Sequence, residues 1–384
     1  MGDVMHPESF SVRVPDEVLD DLQSRLGNTR WPEALPYAGW TSGVDLAYLR
    51  ELVEYWATSF DWRAQERRLN AFSQFTADVG GQLIHFVHER GRGPRPFPLV
   101  LTHGWPSSYI ELLKLVPLLT DPAAHDGDER DSFDVVVPSL PGFAFSGQPD
   151  RPGVCTSTQI ADLWAQLMNG HLGYARFGAQ GQDIGAAVAI SLGAEHSDVV
   201  AGIHVPGVLT FPPANQPLSE EGRAFLARQE RWRNAESGYA HQQGTYPQTL
   251  ALGLNDSPAA LAAWLVDKFR AWSDCDGVLE RRFSKDELLT NITIYWATGS
   301  INSSFLFYYE SQHNSEGQAP MRVEVPVGVA LFPKENPITG PRQWAEATYN
   351  IVSWTEMPRG GHFPAAEEPE LLAAELREFF RPFR

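Results

Sequence analysis

Cysteine is nearly absent: Cys155 and Cys275 are the two in a chain of 384 residues. Neither falls in a metal-ligand spacing and the pair makes no disulfide framework, so a disulfide-stapled secreted protein and a cysteine-built metal centre are excluded. The pattern fits a reduced, cytoplasmic protein. Positive charge is also scarce. Lys plus Arg number 30 against 48 Asp plus Glu, a formal net charge of −18, which argues against nucleic acid or an anionic membrane surface as partner. No apolar run near the N-terminus is long enough for a signal peptide or membrane anchor. Repeats and low-complexity tracts are missing. His85 and His88 lie in a strand-like run on opposite faces, which is unsuited to a shared metal. GAQGQDIG (178–185) lacks the GxGxxG spacing of a dinucleotide fingerprint. No cofactor and no metal are expected. Asn291-Ile-Thr and Asn302-Ser-Ser are glycosylation sequons that matter only in a secreted protein.

What is present is an ordinary globular composition, 43% hydrophobic and 20% charged, with enough chain to bury a large core. Pro15 opens a helix with Val18, Leu22 and Leu26 on one face and Gly27 as its stop. A second helical pattern, LAYLRELVEYWATSF, ends near Asp61, and QLIHFVHE (Gln82–Glu89) alternates like a strand. PRPFP (Pro94–Pro98) reads as a turn or short linker. Beyond it, short apolar runs alternate with helical patterns, as a mostly parallel sheet covered on both faces requires. The strands expected are Leu99–His103, Phe133–Ser139, Ala175–Gln180, Val200–Val205, Val327–Pro333 and Ile351–Met357. A long aromatic-rich helical stretch, 209–320, interrupts them and reads as a lid. The expected organisation is an N-terminal extension (1–95) wrapping a core (96–208 and 321–384) that the lid covers. The final helix, PELLAAELREFF, closes that core with Leu372, Leu376, Phe379 and Phe380.

The strongest chemical signal is Gly181-Gln182-Asp183-Ile184-Gly185, between a strand and an alanine-rich helix. Small residues around a strained strand-to-helix turn are the context of a nucleophile elbow, although alone the pentapeptide serves equally as a glycine turn with Asp183 capping the helix. Three other segments decide between these readings. His103-Gly104-Trp105-Pro106 follows the first strand of the core, Glu335 follows the fifth, and His362 sits between the last strand and the last helix. Nucleophile, acid and histidine thus appear in the order 183, 335, 362, the order of α/β-hydrolases. The backbone N–H groups of Trp105 and Ile184 would form the oxyanion hole, and His103, Gly104 and Pro106 are expected to line the substrate pocket.

An aspartate nucleophile restricts the reaction. Attack on an acyl carbon would give a labile anhydride, whereas attack on an sp³ carbon gives an alkyl ester. His362, oriented by Glu335, would then direct water onto the carboxyl carbon of Asp183. Epoxides and alkyl halides are the suitable substrates. A halide wants indole or amide donors, and the position after the nucleophile holds Ile184 rather than Trp; an opening epoxide wants hydroxyl donors, which lid tyrosines supply.

The chain as a whole resembles the microsomal-type epoxide hydrolases, as a soluble bacterial-type member. RWPEALPYAGW and YWATSFDWRAQERRLNAFSQF resemble the N-terminal extension of that family. HGWP, SLPGFAFSG, GQDIG, LNDSPAALAAWLVDKFRAW, LLTNITIYWATGSINSS and MPRGGHFPAAEEPELL resemble successive blocks of its catalytic part. The resemblance implies Asp183 as nucleophile, His362 as base, Glu335 as its partner, and Tyr239 and Tyr308 as the tyrosines that polarise the epoxide oxygen. Tyr309 competes with Tyr308, and Tyr246 with Tyr239. It also implies a small hydrophobic epoxide as substrate, aromatic ones included, water as co-substrate, and a monomer or homodimer. Two other readings stay open: a dehalogenase with the same triad, and a hydrolase-fold protein that binds a small ligand without turnover.

Overall fold

The computed structural model describes residues 7–35, 39–214, 217–314 and 322–384. Residues 36–38 of the RWPEALPYAGW block and the 320/321 end of the expected lid lie outside them. Nine strands form one sheet: β1 (Glu8–Phe10), β2 (Gln74–Val79), β3 (Gln82–Glu89), β4 (Phe97–Thr102), β5 (Phe133–Pro138), β6 (Phe177–Gly181), β7 (Val200–Val205), β8 (Val323–Leu331) and β9 (Tyr349–Glu356). Their spatial order is β1-β2-β3-β5-β4-β6-β7-β8-β9. The pairs from β5 to β9 are parallel, and β1, β2 and β3 add an antiparallel edge.

The central strands are apolar throughout because both faces are covered. Val100, Val136 and Ala179 point into one buried cluster, and Leu99, Leu101, Val135 and Val137 into the other. The helix Pro369–Phe380 packs on the second face, where Leu372, Leu376, Phe379 and Phe380 are buried. Each such side chain contributes about 1.5–3 kcal/mol by leaving water.

Seven strands lie where the sequence predicts them, β3 and β7 with the expected ends and the others with ends displaced by a few residues. One expectation is corrected. Phe97 and Pro98 of the PRPFP cluster belong to β4 rather than to a linker. Pro98 is tolerated because at that level β4 pairs with β5 alone, at Asp134, and pairing with β6 begins one residue later, at Leu99; a proline costs a ladder hydrogen bond only where a partner waits for it. Strands β1 and β2 were not expected. The overlooked signal for β2 is Gly80-Gly81: both residues have positive φ, 60° and 83°, and they form the two-residue hairpin loop that joins Val79 to its partner Gln82. The N-terminal segment therefore extends the same sheet besides covering it.

Between β7 and β8 the chain forms a helical layer, from Glu220–Glu236 to Leu306–His313. N-terminal helices pack against it: Trp56 of helix Leu46–Thr58 donates its indole N–H to Thr293 at 3.1 Å. No described helix is long and apolar enough to cross a membrane.

Candidate active site

Strands β4 and β6 are parallel neighbours whose ends are level, Thr102 opposite Gly181. The loops that follow, 103–106 and 182–184, therefore emerge side by side at the C-terminal edge of the sheet, the usual place for a site in such folds. Strands β8 and β9 end together in the same way, Leu331 opposite Glu356, and Lys334 N–H bonds to the Gly360 carbonyl at 3.1 Å. That brings the loops of Glu335 and His362 together.

Asp183 stands at the turn between β6 and the helix Ile184–Glu195 with φ 54° and ψ −121°, a region that non-glycine residues occupy only when their surroundings impose it. The surroundings do so through close backbone contact. A Cβ on Gly181 would lie 1.9 Å from the Gly185 carbonyl oxygen, and one on Gly185 would lie 2.1 Å from that of Thr102. Asp183 makes no side-chain cap bond to its helix, so its carboxylate is free for other contacts. Oδ1 accepts the Trp105 backbone N–H at 2.8 Å. Oδ2 lies 3.4 Å from His362 Nε2, an ion-pair distance, with the Asp183 side chain 19% exposed and that of His362 only 6%. The carboxylate is reachable and the imidazole is sheltered behind it. Ile184 is the first residue of the helix, so its N–H has no partner within that helix.

His362 Nδ1 is 2.7 Å from Glu335 Oε1, which also accepts the Asn336 backbone N–H at 2.7 Å. The His362 backbone N–H donates to the Trp272 carbonyl at 2.9 Å, and its ring meets that of Trp272 edge-on at 5.0 Å. Burial opposes a charge on this imidazole, yet the carboxylates of Glu335 and Asp183 outweigh it and hold the pKa well above the usual histidine value.

The helical layer brings in both expected tyrosines. Tyr239 stacks on Trp105 with ring centroids 5.2 Å apart and planes 7° apart, and Tyr308 meets Trp105 and Tyr239 edge-on at 6.1 and 5.7 Å. Burial, and then the charge of Asp183, raises the Tyr239 phenol above the ordinary tyrosine value. Burial followed by Tyr239 and Asp183 does the same for Tyr308. Both stay protonated and able to donate. Their competitors lie elsewhere: Tyr246 is 72% exposed, and Tyr309 is turned outward, stacked on His313 at 4.1 Å.

The expected pocket residues fare differently. Gly104 abuts Asp183, since a Cβ there would lie 2.3 Å from Asp183 Oδ1. Pro106 is held by its carbonyl, which accepts from Asn291 at 2.9 Å. His103 does not face a substrate. It is fully buried, its Nδ1 lies 3.1 Å from the Gly104 carbonyl, and its Nε2 accepts the Leu140 N–H at 3.1 Å. Burial lowers its pKa to about 4, so it is a neutral strut between two loops. The sequence reading missed other contributors. Trp272, at the end of helix Pro258–Trp272, packs against Trp105, Tyr239 and His362. Asn291, noted as a sequon, is buried and braces the loop after β4 through Pro106 and Ser108. Among the described residues, the trio with metal-competent spacing is Asp162, Glu195 and His196, none of which belongs to this site.

Comparison with known proteins agrees with this geometry. Residues 7–112 match the family described as "Epoxide hydrolase N terminus" and residues 98–255 the alpha/beta hydrolase fold. A Stigmatella aurantiaca protein carrying the name "Putative epoxide hydrolase" is 45% identical across 98% of this chain and 85% of its own. "Epoxide hydrolase 1" of Oryctolagus cuniculus is 36% identical across 96% of this chain and 88% of its own. The chain belongs to the epoxide hydrolase family. Among solved structures, that of the Aspergillus niger epoxide hydrolase superposes with a TM-score of 0.86 at 30% identity, over 99% of this chain and 97% of that one. The juvenile hormone epoxide hydrolase of Bombyx mori gives 0.89 at 28% identity, over 100% of this chain and 95% of that one. This enzyme thus opens epoxides with water to give diols, and of the alternatives left open by the sequence neither the dehalogenase nor the inert binder is retained.

Proposed function

We propose that this epoxide hydrolase works through an ester on Asp183, and that the division of labour between the two carboxylate oxygens carries the reading. Oδ1 is held by the Trp105 amide, while Oδ2 points toward His362. Oδ2 attacks an epoxide carbon; the C–O bond of the ring breaks, and the alkoxide takes a proton from Tyr239 or Tyr308. Ester formation removes the charge of Asp183, one of the two anions that keep His362 protonated. The imidazole then gives up its proton to the tyrosine pair and becomes a base. It takes a proton from water, whose oxygen attacks the carboxyl carbon, and the oxyanion forms on Oδ1 against the amides of Trp105 and Ile184. Collapse breaks the bond to Oδ2, which takes the remaining proton of the attacking water and leaves as a hydroxyl of the diol, while the water oxygen stays on the Asp183 carboxylate and His362 is again charged.

The substrate we favour is a small hydrophobic epoxide, aromatic ones included, because Trp105, whose N–H holds Asp183, carries a cluster of rings with Trp272, Tyr239 and Tyr308. We read the helices within 209–320 as a lid and 1–95 as an extension bound to lid and sheet alike. Two buried free cysteines support a reducing, cytoplasmic setting, and a monomer or homodimer is the assembly we expect.

Single turnover of styrene oxide in heavy-oxygen water tests the route. Label is expected in the Asp183 peptide, and a His362→Gln variant is expected to accumulate an adduct of epoxide mass on it. Diol formation by the wild type with no label in Asp183 overturns the covalent route.

A further inference from the structure

The ester chemistry leaves one buried acid beside it unused. Glu111 lies in the turn Tyr109–Leu112, just past the oxyanion loop, and is 7% exposed. Both its oxygens are engaged. Oε1 accepts from the side-chain amide of Gln182, the residue immediately before the nucleophile, and Oε2 is bonded to the Ser107 hydroxyl. The same hydroxyl lies 3.1 Å from the Gly104 carbonyl oxygen. That carbonyl and the Trp105 N–H belong to one peptide unit, and the N–H is the one that holds Asp183 Oδ1. A donor on the carbonyl polarises the unit and strengthens its N–H in turn, as in any hydrogen-bond chain.

Ser107 has one proton and two acceptors within reach. When Glu111 is ionised, the proton goes to the carboxylate, because charge-assisted bonds are the stronger. When Glu111 is protonated, its O–H donates to Ser107 Oγ, and the serine proton is released to the Gly104 carbonyl. The Gln182 amide bonds to Oε1 in either state. Burial pushes the Glu111 carboxyl up to about 8, against the pull of the Ser107 hydroxyl and the His362 charge, with Asp183 and Glu367 adding to the rise. On its other side Glu111 borders a cavity that Arg68, Lys114 and Glu287 also line; Lys114 is paired with Glu287 at 2.6 Å, and Arg68 donates to Gln65 at 3.2 Å.

We propose that Glu111 is a positioning residue that sets the donor strength of the oxyanion amide through Ser107 and the Gly104 carbonyl, and that its ionisation slows ester hydrolysis. The effect falls on hydrolysis because the oxyanion forms in that half-reaction. The inference rests on the Asp183 ester, so the experiment follows both halves. Styrene oxide is mixed with the full-length enzyme from neutral to alkaline pH, and ester formation and decay are timed by quenched intact mass. Wild-type decay is expected to slow toward high pH. In Glu111→Gln the amide donates to Ser107 as the protonated acid would, so the alkaline slowing is expected to vanish and the variant to outrun the wild type there. Ser107→Ala is expected to slow decay by about tenfold at every pH, less than the ~10²-fold or more for loss of an oxyanion donor itself, with ester formation nearly untouched; it also serves if Glu111→Gln folds poorly. Persistence of the alkaline slowing in Glu111→Gln, or equal slowing of both halves in Ser107→Ala, overturns the proposal. Absence of any ester in the wild type overturns the covalent reading and this one with it, and shows in the mass spectrum before any variant is compared.

Discussion

On the sheet side of the site each group is held by a hydrogen bond or ion pair at a strand end, whereas on the lid side the tyrosines are held by the packing of rings. Asp183 takes its position from a turn in which Gly181 and Gly185 leave room only for backbone. His362 takes its own from Glu335 at 2.7 Å and from the Trp272 carbonyl. Tyr239 and Tyr308 instead stand against Trp105, Trp272 and each other. Bond making and breaking at one carbon needs tight geometry, which strand ends supply. Proton donation to an alkoxide needs a protonated phenol in place, which ring packing on Trp105 supplies.

The contrast can be tested from its strongest point outward. Asp183→Asn removes the nucleophile proposed here and should lower diol formation by roughly 10⁴-fold or more, as loss of one member of a catalytic unit does. An unchanged thermal midpoint would separate this loss from misfolding. On the lid side, Tyr239→Phe or Tyr308→Phe should each slow ester formation by about tenfold, and the double variant by ~10³-fold, because either phenol can serve while the other is missing. Ester decay should hardly change, and rapid-quench mass measurement resolves the two steps. A single substitution that abolished turnover would break the contrast. Glu335→Gln tests the sheet side more finely. The carboxylate raises the His362 pKa, and hydrolysis needs the neutral imidazole, so the rate falls as pH drops through that pKa. Without the charge the pKa is lower, and the acid limb of ester decay should move to lower pH while the plateau drops by about tenfold. The smallest effect is expected at Tyr309, which neighbours Tyr308 but is turned away from the site: Tyr309→Phe should change neither half-reaction by more than about twofold.

Much of this was readable from residue order. The elbow, HGWP, Glu335 and His362 are each short signals, but each sits at the end of an apolar run, and a parallel sheet brings the ends of such runs to one edge. Strand β2 was missed although its residues, QFTADV, alternate polar and apolar: the run is short and buries the polar Gln74 against that pattern, and the glycine pair Gly80-Gly81 was its better sign. His103 was misplaced for a related reason. Sequence puts it beside the nucleophile's amide, but only the loop around Leu140 shows that both ring nitrogens are already engaged.

The chain by itself determined the parallel part of the sheet, the order of Asp183, Glu335 and His362 along it, and the restriction to sp³ carbon that an aspartate nucleophile would impose, because these depend on local pattern and on residue chemistry. Tertiary structure alone decided which of Tyr308 and Tyr309 faces the carboxylate, that Trp272 joins the site from the lid, and that Glu111 and Gln182 meet behind the elbow. Those contacts join segments tens to hundreds of residues apart, and which side of a helix or loop looks inward is set by its packing partners rather than by its own sequence.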